Sequence, residues 1–283
     1  MEEMMDITID LAKKLIFEQF PQWSHLEINA VKNSGHDNRT FHLGDDLTIR
    51  LPSGKEYEPQ IQKEAKWLPV LAQHLSLPIT ALVAKGEPTP EYPLAWSINR
   101  WLVGETVTHT NVDLQKFAIG LARFLKELEA INAENGPQAG AHNFYRGGDL
   151  AVYIEEFEQA LTQLPAGPQR NHYQDIWTTA LATKWEKKPV WVHGDIAVGN
   201  LLVNDGHLSG VIDFGILGTG DPACDLVIAW TFFDSKSRKA FKEDMGLDDT
   251  TWQRGKGWAL WKALITPDDA VSKKVLVDML AAD

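Results

Sequence analysis

The sequence predicts an α+β chain in two unequal parts: a small N-terminal β-sheet lobe over residues 1–102 and a larger, mainly helical lobe over residues 103–283. Three observations predict it. Apolar and polar residues alternate in short runs in the first part, and apolar residues recur at three- and four-residue spacing in the second. No Gly/Ser- or Pro-rich linker separates the two, so a chain of 283 residues reads as one large unit or two intimate lobes, with ample length to bury a core.

The elements follow in order. Asp6 is placed as an N-cap, and Ile9, Ala12, Ile16 and Phe20 lie on one helical face behind it. Leu26, Ile28 and Ala30 alternate, as do Leu47, Ile49 and Leu51, and both runs read as strands; Ser34-Gly35-His36-Asp37-Asn38 between them is a cluster of turn formers. Helix returns from Pro59 to about Leu75, with Pro69 as an expected kink. Strand-like segments lie near Ile79–Ala84 and Leu94–Leu102. After a junction at Leu102–Thr106, helices are expected at Val112–Ile131, Leu150–Leu164, Tyr173–Trp185, Asp225–Phe233 and Trp252–Ile265.

Composition narrows the function. With 44% hydrophobic and 23% charged residues the chain is globular rather than disordered. Its 27 Lys and Arg against 39 Asp and Glu, a net charge of −12, argue against a nucleic-acid-coating protein, which needs cations for phosphates. A nucleotide as a small ligand is not excluded. Cys224 is the single cysteine, and the N-terminus opens acidic with no basic and then apolar stretch; a reducing, cytoplasmic setting is expected. No apolar run approaches the roughly 18 residues of a spanning helix, so no membrane is expected as partner. A monomer or weak dimer is the expected state.

The chemistry concentrates in Val190–Asp234, which carries six Asp and no Lys or Arg. Its apolar runs VWV, NLLV and GVI read as buried strands, and Asn204-Asp205-Gly206 is a hairpin turn signal. Asn200 and Asp213 then fall at the open end of that hairpin, with Asp195 one loop upstream. Two carboxylates and an amide oxygen make an oxygen-rich set suited to Mg²⁺. Asp195 and Asn200 have four residues between them, as in the catalytic loop of kinases, and Asp213-Phe214-Gly215 matches the DFG triplet. In that template Asp195 accepts the substrate hydroxyl proton, while Asn200 and Asp213 hold metal. His193 is either a satisfied core histidine or a brace for the loop. Asp221, before Pro222, reads equally as a turn former; Asp225 reads as a helix cap that also supports the loop backbone, and Cys224 as a small buried residue.

At VHGDIAVGNLLV, VIDFGILGTGDPACDL and RGKGWALWKAL the chain resembles the aminoglycoside phosphotransferase family, small-molecule relatives of protein kinases that are related to choline kinase and the macrolide phosphotransferases. The resemblance implies a bilobal protein-kinase-like fold with ATP or GTP between lobes, Asp195 as base, and Asn200 and Asp213 as ligands of Mg²⁺. His-Gly-Asp in place of His-Arg-Asp removes the arginine that reads activation-loop phosphorylation. Only five residues part Gly215 from Asp221-Pro222, too few for a peptide-docking segment. A small-molecule hydroxyl is therefore the expected acceptor.

At the nucleotide end there is no G-x-G-x-x-G. Backbone N–H groups around Ser34 and Gly35 are candidates to cover the phosphates, with an ordinary hairpin loop as the alternative. The kinase strand lysine is replaced by Arg50, in LTIRLP, with Glu64 on the following helix as its partner; Lys55 and Lys63 are the alternatives. Asn99 and Trp101, in the strand and hinge Pro93–Leu102, are expected beside the base. For the acceptor, Asp149, Glu155, Glu156 and Glu158, and separately Asp268 and Asp269, suit a cationic amino sugar unless they are simply solvated. The eleven Trp, Trp230, Trp258 and Trp261 among them, are either core or an aromatic wall for a quaternary ammonium or a macrolide-like ring.

Overall fold

The computed structural model describes residues 6–31 and 37–280. The chain forms two compact units. The first comprises Met1–Gln73, Pro78–Val103 and Gly210–Gly215, and the second His74–Leu77, Gly104–Ser209 and Ile216–Asp283.

In the first unit α1 (Ile9–Gln19) is followed by β1 (Ile28–Ala30), β2 (Asn38–Leu43), β3 (Leu47–Pro52), α2 (Glu58–Leu71), β4 (Leu82–Gly86) and β5 (Trp96–Arg100). The strands form one antiparallel sheet in the order β1-β2-β3-β5-β4. Side chains alternate across a sheet, so each strand sends one set to each face. Leu47, Ile49 and Leu51 of β3, Phe41 and Leu43 of β2, and Trp96 and Ile98 of β5 pack into a core with Ala12, Leu15 and Ile16 of α1. The intervening positions, Thr48 and Arg50 on β3 and Ser97 and Asn99 on β5, therefore belong to the opposite face. There Thr48, Ser97 and Asn99 are buried although polar. Such a face is costly to build unless its groups find hydrogen bonds.

Three local expectations change. The cap of α1 is Thr8, whose hydroxyl accepts from the Leu11 amide at 3.2 Å, rather than Asp6. Strand β2 was not anticipated: only Phe41 and Leu43 are apolar in Asn38–Leu43, and Asn38, read as a turn residue, is its buried first position. Helix α2 runs through Pro69 and stops at Leu71.

The second unit contains β6 (Glu105–Thr106), α3 (Leu114–Ala130), α4 (Ile154–Thr162), α5 (Pro168–Leu181), β7 (Val190–Val192), β8 (Leu201–Asn204), β9 (His207–Val211), β10 (Gly218–Gly220), α6 (Ile228–Thr231), α7 (Ser235–Met245), α8 (Asp249–Ile265) and α9 (Ala270–Asp278). The last two residues of β9 group with the first unit. Strands β6, β8 and β9 form a small sheet, and β10 pairs antiparallel with β7. Asp205 and Gly206 both have positive φ, +49° and +78°, the backbone that a two-residue hairpin of the right twist requires.

Helix α3 buries Phe117, Leu121, Phe124, Leu125 and Leu128 on one face and is capped by Asp113. Helix α7 packs on α3, yet the sequence carries little sign of it. Six of its eleven residues are charged, and only Ser237, Phe241 and Met245 are buried. Two expected helices begin as 3-10 turns, at Leu150–Tyr153 and Pro222–Val227. The second is capped by Asp221, which accepts from the Ala223 amide, and not by Asp225.

Helix α8 is buried nearly all round and carries a charge inside. Arg254 donates from Nε to Asp221 Oδ2 at 2.6 Å and from Nη2 to Asp221 Oδ1 at 3.3 Å, with Thr183 and Thr251 taking its remaining donors. Both charged residues are about 5% exposed. Removing one member of such a pair strands the other in a poor solvent. Arg254→Met is expected to cost about 3–5 kcal/mol in urea unfolding, and Asp221→Asn in the same chain to restore a large part of it.

Candidate active site

The residues expected to carry chemistry divide between the units, and each half is built by its own elements. In the first unit Arg50 projects from the polar face of β3. Its Nη1 lies 3.3 and 3.4 Å from the two carboxylate oxygens of Glu64 on α2, and its Nη2 donates to Asp213 Oδ1 at 2.8 Å. Burial works against the guanidinium charge, but Glu64 and Asp213 outweigh it and hold Arg50 above its usual range. Burial pushes the Glu64 carboxyl up, with Arg50 opposing. One cation is thus fixed between two carboxylates, from a strand, a helix and a segment some 160 residues downstream.

Asp213 itself sits in left-handed backbone, φ +65°, uncommon for a residue with a Cβ. Its amide donates to Thr80 Oγ1 at 3.2 Å, and its side chain remains 38% exposed. Next to it, Gln60 of α2 packs where a Cβ on Gly215 would fall. Of the alternatives to Arg50, Lys55 is exposed; Lys63 is half-buried, its pKa lowered by burial to about 8 with Glu64 opposing. Asn99 lies buried on β5, its Nδ2 donating to Ser97 Oγ at 3.2 Å, while its Oδ1 has no hydrogen-bond partner among the described residues. Trp101 stands edge-on to His42 at 4.4 Å, and its amide donates to the Asp46 carbonyl. Ser34 and Gly35 lie outside the described residues.

In the second unit the loop between β7 and β8 holds Asp195 by its backbone. The buried Asp225 carboxylate accepts from the amides of His193 and Gly194, both at 2.7 Å. Burial pushes this carboxyl up, while the His193 ring and then those two donors pull it back. His193, fully buried, accepts at Nδ1 from the Asp195 amide at 3.2 Å, so it braces the loop. Gly194 takes φ +86°, and a Cβ there would stand 2.6 Å from the Ile216 carbonyl oxygen, so only glycine fits. Asp195 is left exposed at the loop's surface. Asn200 Nδ2 donates to both its Oδ2 and its main-chain oxygen, each at 2.9 Å. Nδ2 is thereby committed to Asp195, which leaves the amide oxygen Oδ1 of Asn200 as the group with the chemistry of a hard metal ligand.

Among the described residues no three His, Cys, Asp or Glu side chains cluster as a metal site. The donors on offer, a carboxylate and an amide oxygen, nevertheless have the oxygen chemistry that Mg²⁺ prefers, with waters and phosphates completing its shell.

The residues singled out for an acceptor fare differently. Asp149 is engaged by Lys184 at 2.6 Å and by the Ala151 amide, and Glu156 accepts from Trp261 Nε1 at 3.2 Å; Glu155 and Glu158 remain exposed. Asp269 caps α9. Trp230, Trp258 and Trp261 are buried. The faces of Trp258 and Trp261 already carry a cation, the Arg146 guanidinium at 4.9 and 5.3 Å. Two aromatics outside that group stay open, Phe144 (44% exposed) and Tyr145 (41%), both with positive φ. Arg146 was not visible in the sequence: it sits in FYRGG, with no periodicity and no motif around it.

The sequence profile of the phosphotransferase enzyme family matches residues 30–258. Among solved structures, aminoglycoside 2'-phosphotransferase-IIIa in complex with GDP superposes with a TM-score of 0.78 at 19% identity, covering 96% of this chain and 98% of its own. A streptomycin–ATP ternary complex of APH(2")-IIa gives 0.63 at 18% identity, with 98% of each chain covered. The macrolide 2'-phosphotransferase MphH from Brachybacterium faecium gives 0.65 at 18% identity, covering 97% of this chain and 99% of that one. At these identities the likeness establishes the fold. No curated protein matches the chain in sequence, and among the described residues no helix is long and apolar enough to cross a membrane.

Glu129 of α3 has its pKa raised to about 8 by burial, then by the Asp225 and Asp221 carboxylates, with Lys126 opposing. A carboxyl whose folded pKa is raised binds its proton more tightly folded than unfolded, so stability is lost as pH climbs from the ordinary carboxyl range to about 8. Glu129→Gln removes that loss. Its denaturation midpoint is expected to match the wild type near pH 4 and to exceed it increasingly up to about pH 8, with a constant gap beyond.

Proposed function

The chain belongs to the phosphotransferase enzyme family, and from that premise we propose that it moves the γ-phosphoryl group of ATP or GTP directly to a hydroxyl of a small molecule. The observation that carries the reading is the presentation of Asp195: exposed, oriented by Asn200, and mounted on a loop whose backbone is clamped by a buried carboxylate. A carboxylate so held can align an acceptor hydroxyl and take its proton as the oxygen attacks phosphorus in line. Arg50, fixed by Glu64, is the cation for the nucleotide phosphates, in the place where protein kinases use lysine. Each unit offers a hard oxygen donor for Mg²⁺: the first the Asp213 carboxylate, the second the Asn200 amide oxygen. When bound, the ion neutralises charge on the transferring phosphates. The chain's own work is to orient, to supply one fixed cation and to accept one proton, so most of the rate gain comes from positioning and electrostatics. In this reading residues 1–102 serve the nucleotide, with Ser34, Gly35, Asn99 and Trp101 beside it, and residues 103–283 carry the base and the acceptor.

For the acceptor, an aminoglycoside-type antibiotic is the first reading. Glu155 and Glu158 are exposed acids of the same unit as Asp195, and relatives of the same fold are complexed with streptomycin or named for aminoglycosides. A macrolide-type acceptor is the second, favoured by the open aromatic pair Phe144 and Tyr145 and by the internal use of Asp149 and Glu156. A choline-like quaternary ammonium is less favoured, because Arg146 occupies the indole faces it would use. Drug protection on expression in a susceptible cell separates an antibiotic acceptor from a metabolite.

Asp195→Asn is expected to lower kcat by about 100- to 10,000-fold, the usual worth of a general base, while calorimetry finds nucleotide affinity and the unfolding midpoint unchanged. Undiminished turnover in this variant contradicts the mechanism.

A further inference from the structure

We propose that Arg146 is a positioning residue for the Asp195 loop, acting through the peptide plane that joins Gly194 to Asp195; this rests on the phosphotransferase reading above. That plane is held at both ends. Its N–H, on Asp195, donates to His193 Nδ1, and its carbonyl, on Gly194, accepts from Arg146 Nε at 3.1 Å. The preceding amide, on Gly194, is taken by Asp225. With both faces of this short stretch tied to side chains, the Cα of Asp195 has a fixed platform, and Asn200 sets the carboxylate from the other side.

Arg146 is itself immobilised. Its Nη1 donates to the Phe144 carbonyl at 3.3 Å, and its guanidinium lies over Trp258 and Trp261 of α8. The Phe144 carbonyl is shared with Tyr153 Oη at 2.7 Å, and Tyr153 stacks on Trp261 at 3.9 Å between ring centroids. The buried indole pair therefore has a function other than filling the core: it seats a planar cation whose Nε meets the Gly194 carbonyl. A charged donor to a buried carbonyl is among the stronger hydrogen bonds, and planar stacking on indole suits guanidinium better than ammonium.

The test uses the full-length chain with MgATP or MgGTP and water as acceptor, following nucleoside diphosphate release, so that no acceptor need be known. Arg146→Met keeps an apolar stem on the two Trp and removes the donor. We expect kcat to fall about 10- to 100-fold, as for a catalytic group displaced by an ångström or less, with KM for the nucleotide within about twofold of wild type and the unfolding midpoint little changed. Guanidinium chloride at low millimolar concentration is expected to restore part of the lost kcat in Arg146→Ala, a recovery that a merely structural arginine would not give. If Arg146→Met does not fold, Arg146→Lys is read the same way, with a smaller fall in kcat at constant KM. An unchanged kcat, a KM rise matching the kcat loss, or no rescue overturns the assignment. If water alone gives no diphosphate release, the same variants are compared with the panel of aminoglycosides, macrolides and metabolite alcohols as acceptors; no release by the wild-type chain with any of them instead overturns the phosphotransferase reading, and this one with it.

Discussion

The second unit depends on one buried carboxylate. Among the described residues no lysine or arginine pairs with Asp225; it accepts from two backbone amides, those of His193 and Gly194. A buried carboxylate costs several kcal/mol of lost hydration unless hydrogen bonds replace the water. Here the replacement comes from the very loop that presents Asp195. Folding the loop into another shape would leave the charge without donors and the donors without an acceptor, so the anion enforces the loop. Gly194, in left-handed backbone against the Ile216 carbonyl, is the geometric price of that grip.

The first unit solves the converse problem. Its sheet has one apolar face sealed by α1 and one polar face carrying Thr48, Arg50, Ser97 and Asn99. Burying Arg50 is tolerable because Glu64 and Asp213 both face it. A cation between two anions keeps its charge, as the proposed phosphate-binding role requires. Among the described residues the Oδ1 of Asn99 on the same face has no hydrogen-bond partner, unlike the well-paired Arg254–Asp221 site.

Much of the candidate site was legible because its signals are local. Asp195 and Asn200 lie within one loop, Asn204-Asp205-Gly206 encodes its own turn, and the pairing of Arg50 with Glu64 spans only a strand and the next helix. What stayed hidden depends on distance or on weak pattern. Arg146 reaches Gly194 across 48 residues, and nothing in FYRGG hints at a target. Asp213 meets Arg50 only because Gly210–Gly215 joins the first unit, a topological fact that periodicity does not encode. Strand β2 has two apolar residues, and α7 is dominated by charge, so both take their conformation from what they pack against rather than from intrinsic preference. The acids of Asp149–Glu158 looked like a charge patch, but two of the four are occupied by Lys184 and Trp261.

On the proposed function, the two units together serve phosphoryl transfer to a hydroxyl of a small molecule. Phosphorus NMR decides this when the chain is incubated with MgATP or MgGTP and a panel of aminoglycosides, macrolides and metabolite alcohols. A new phosphate monoester resonance is expected on at least one acceptor, appearing in step with nucleoside diphosphate. Tight nucleotide binding with neither ester nor diphosphate formed for any acceptor would contradict it.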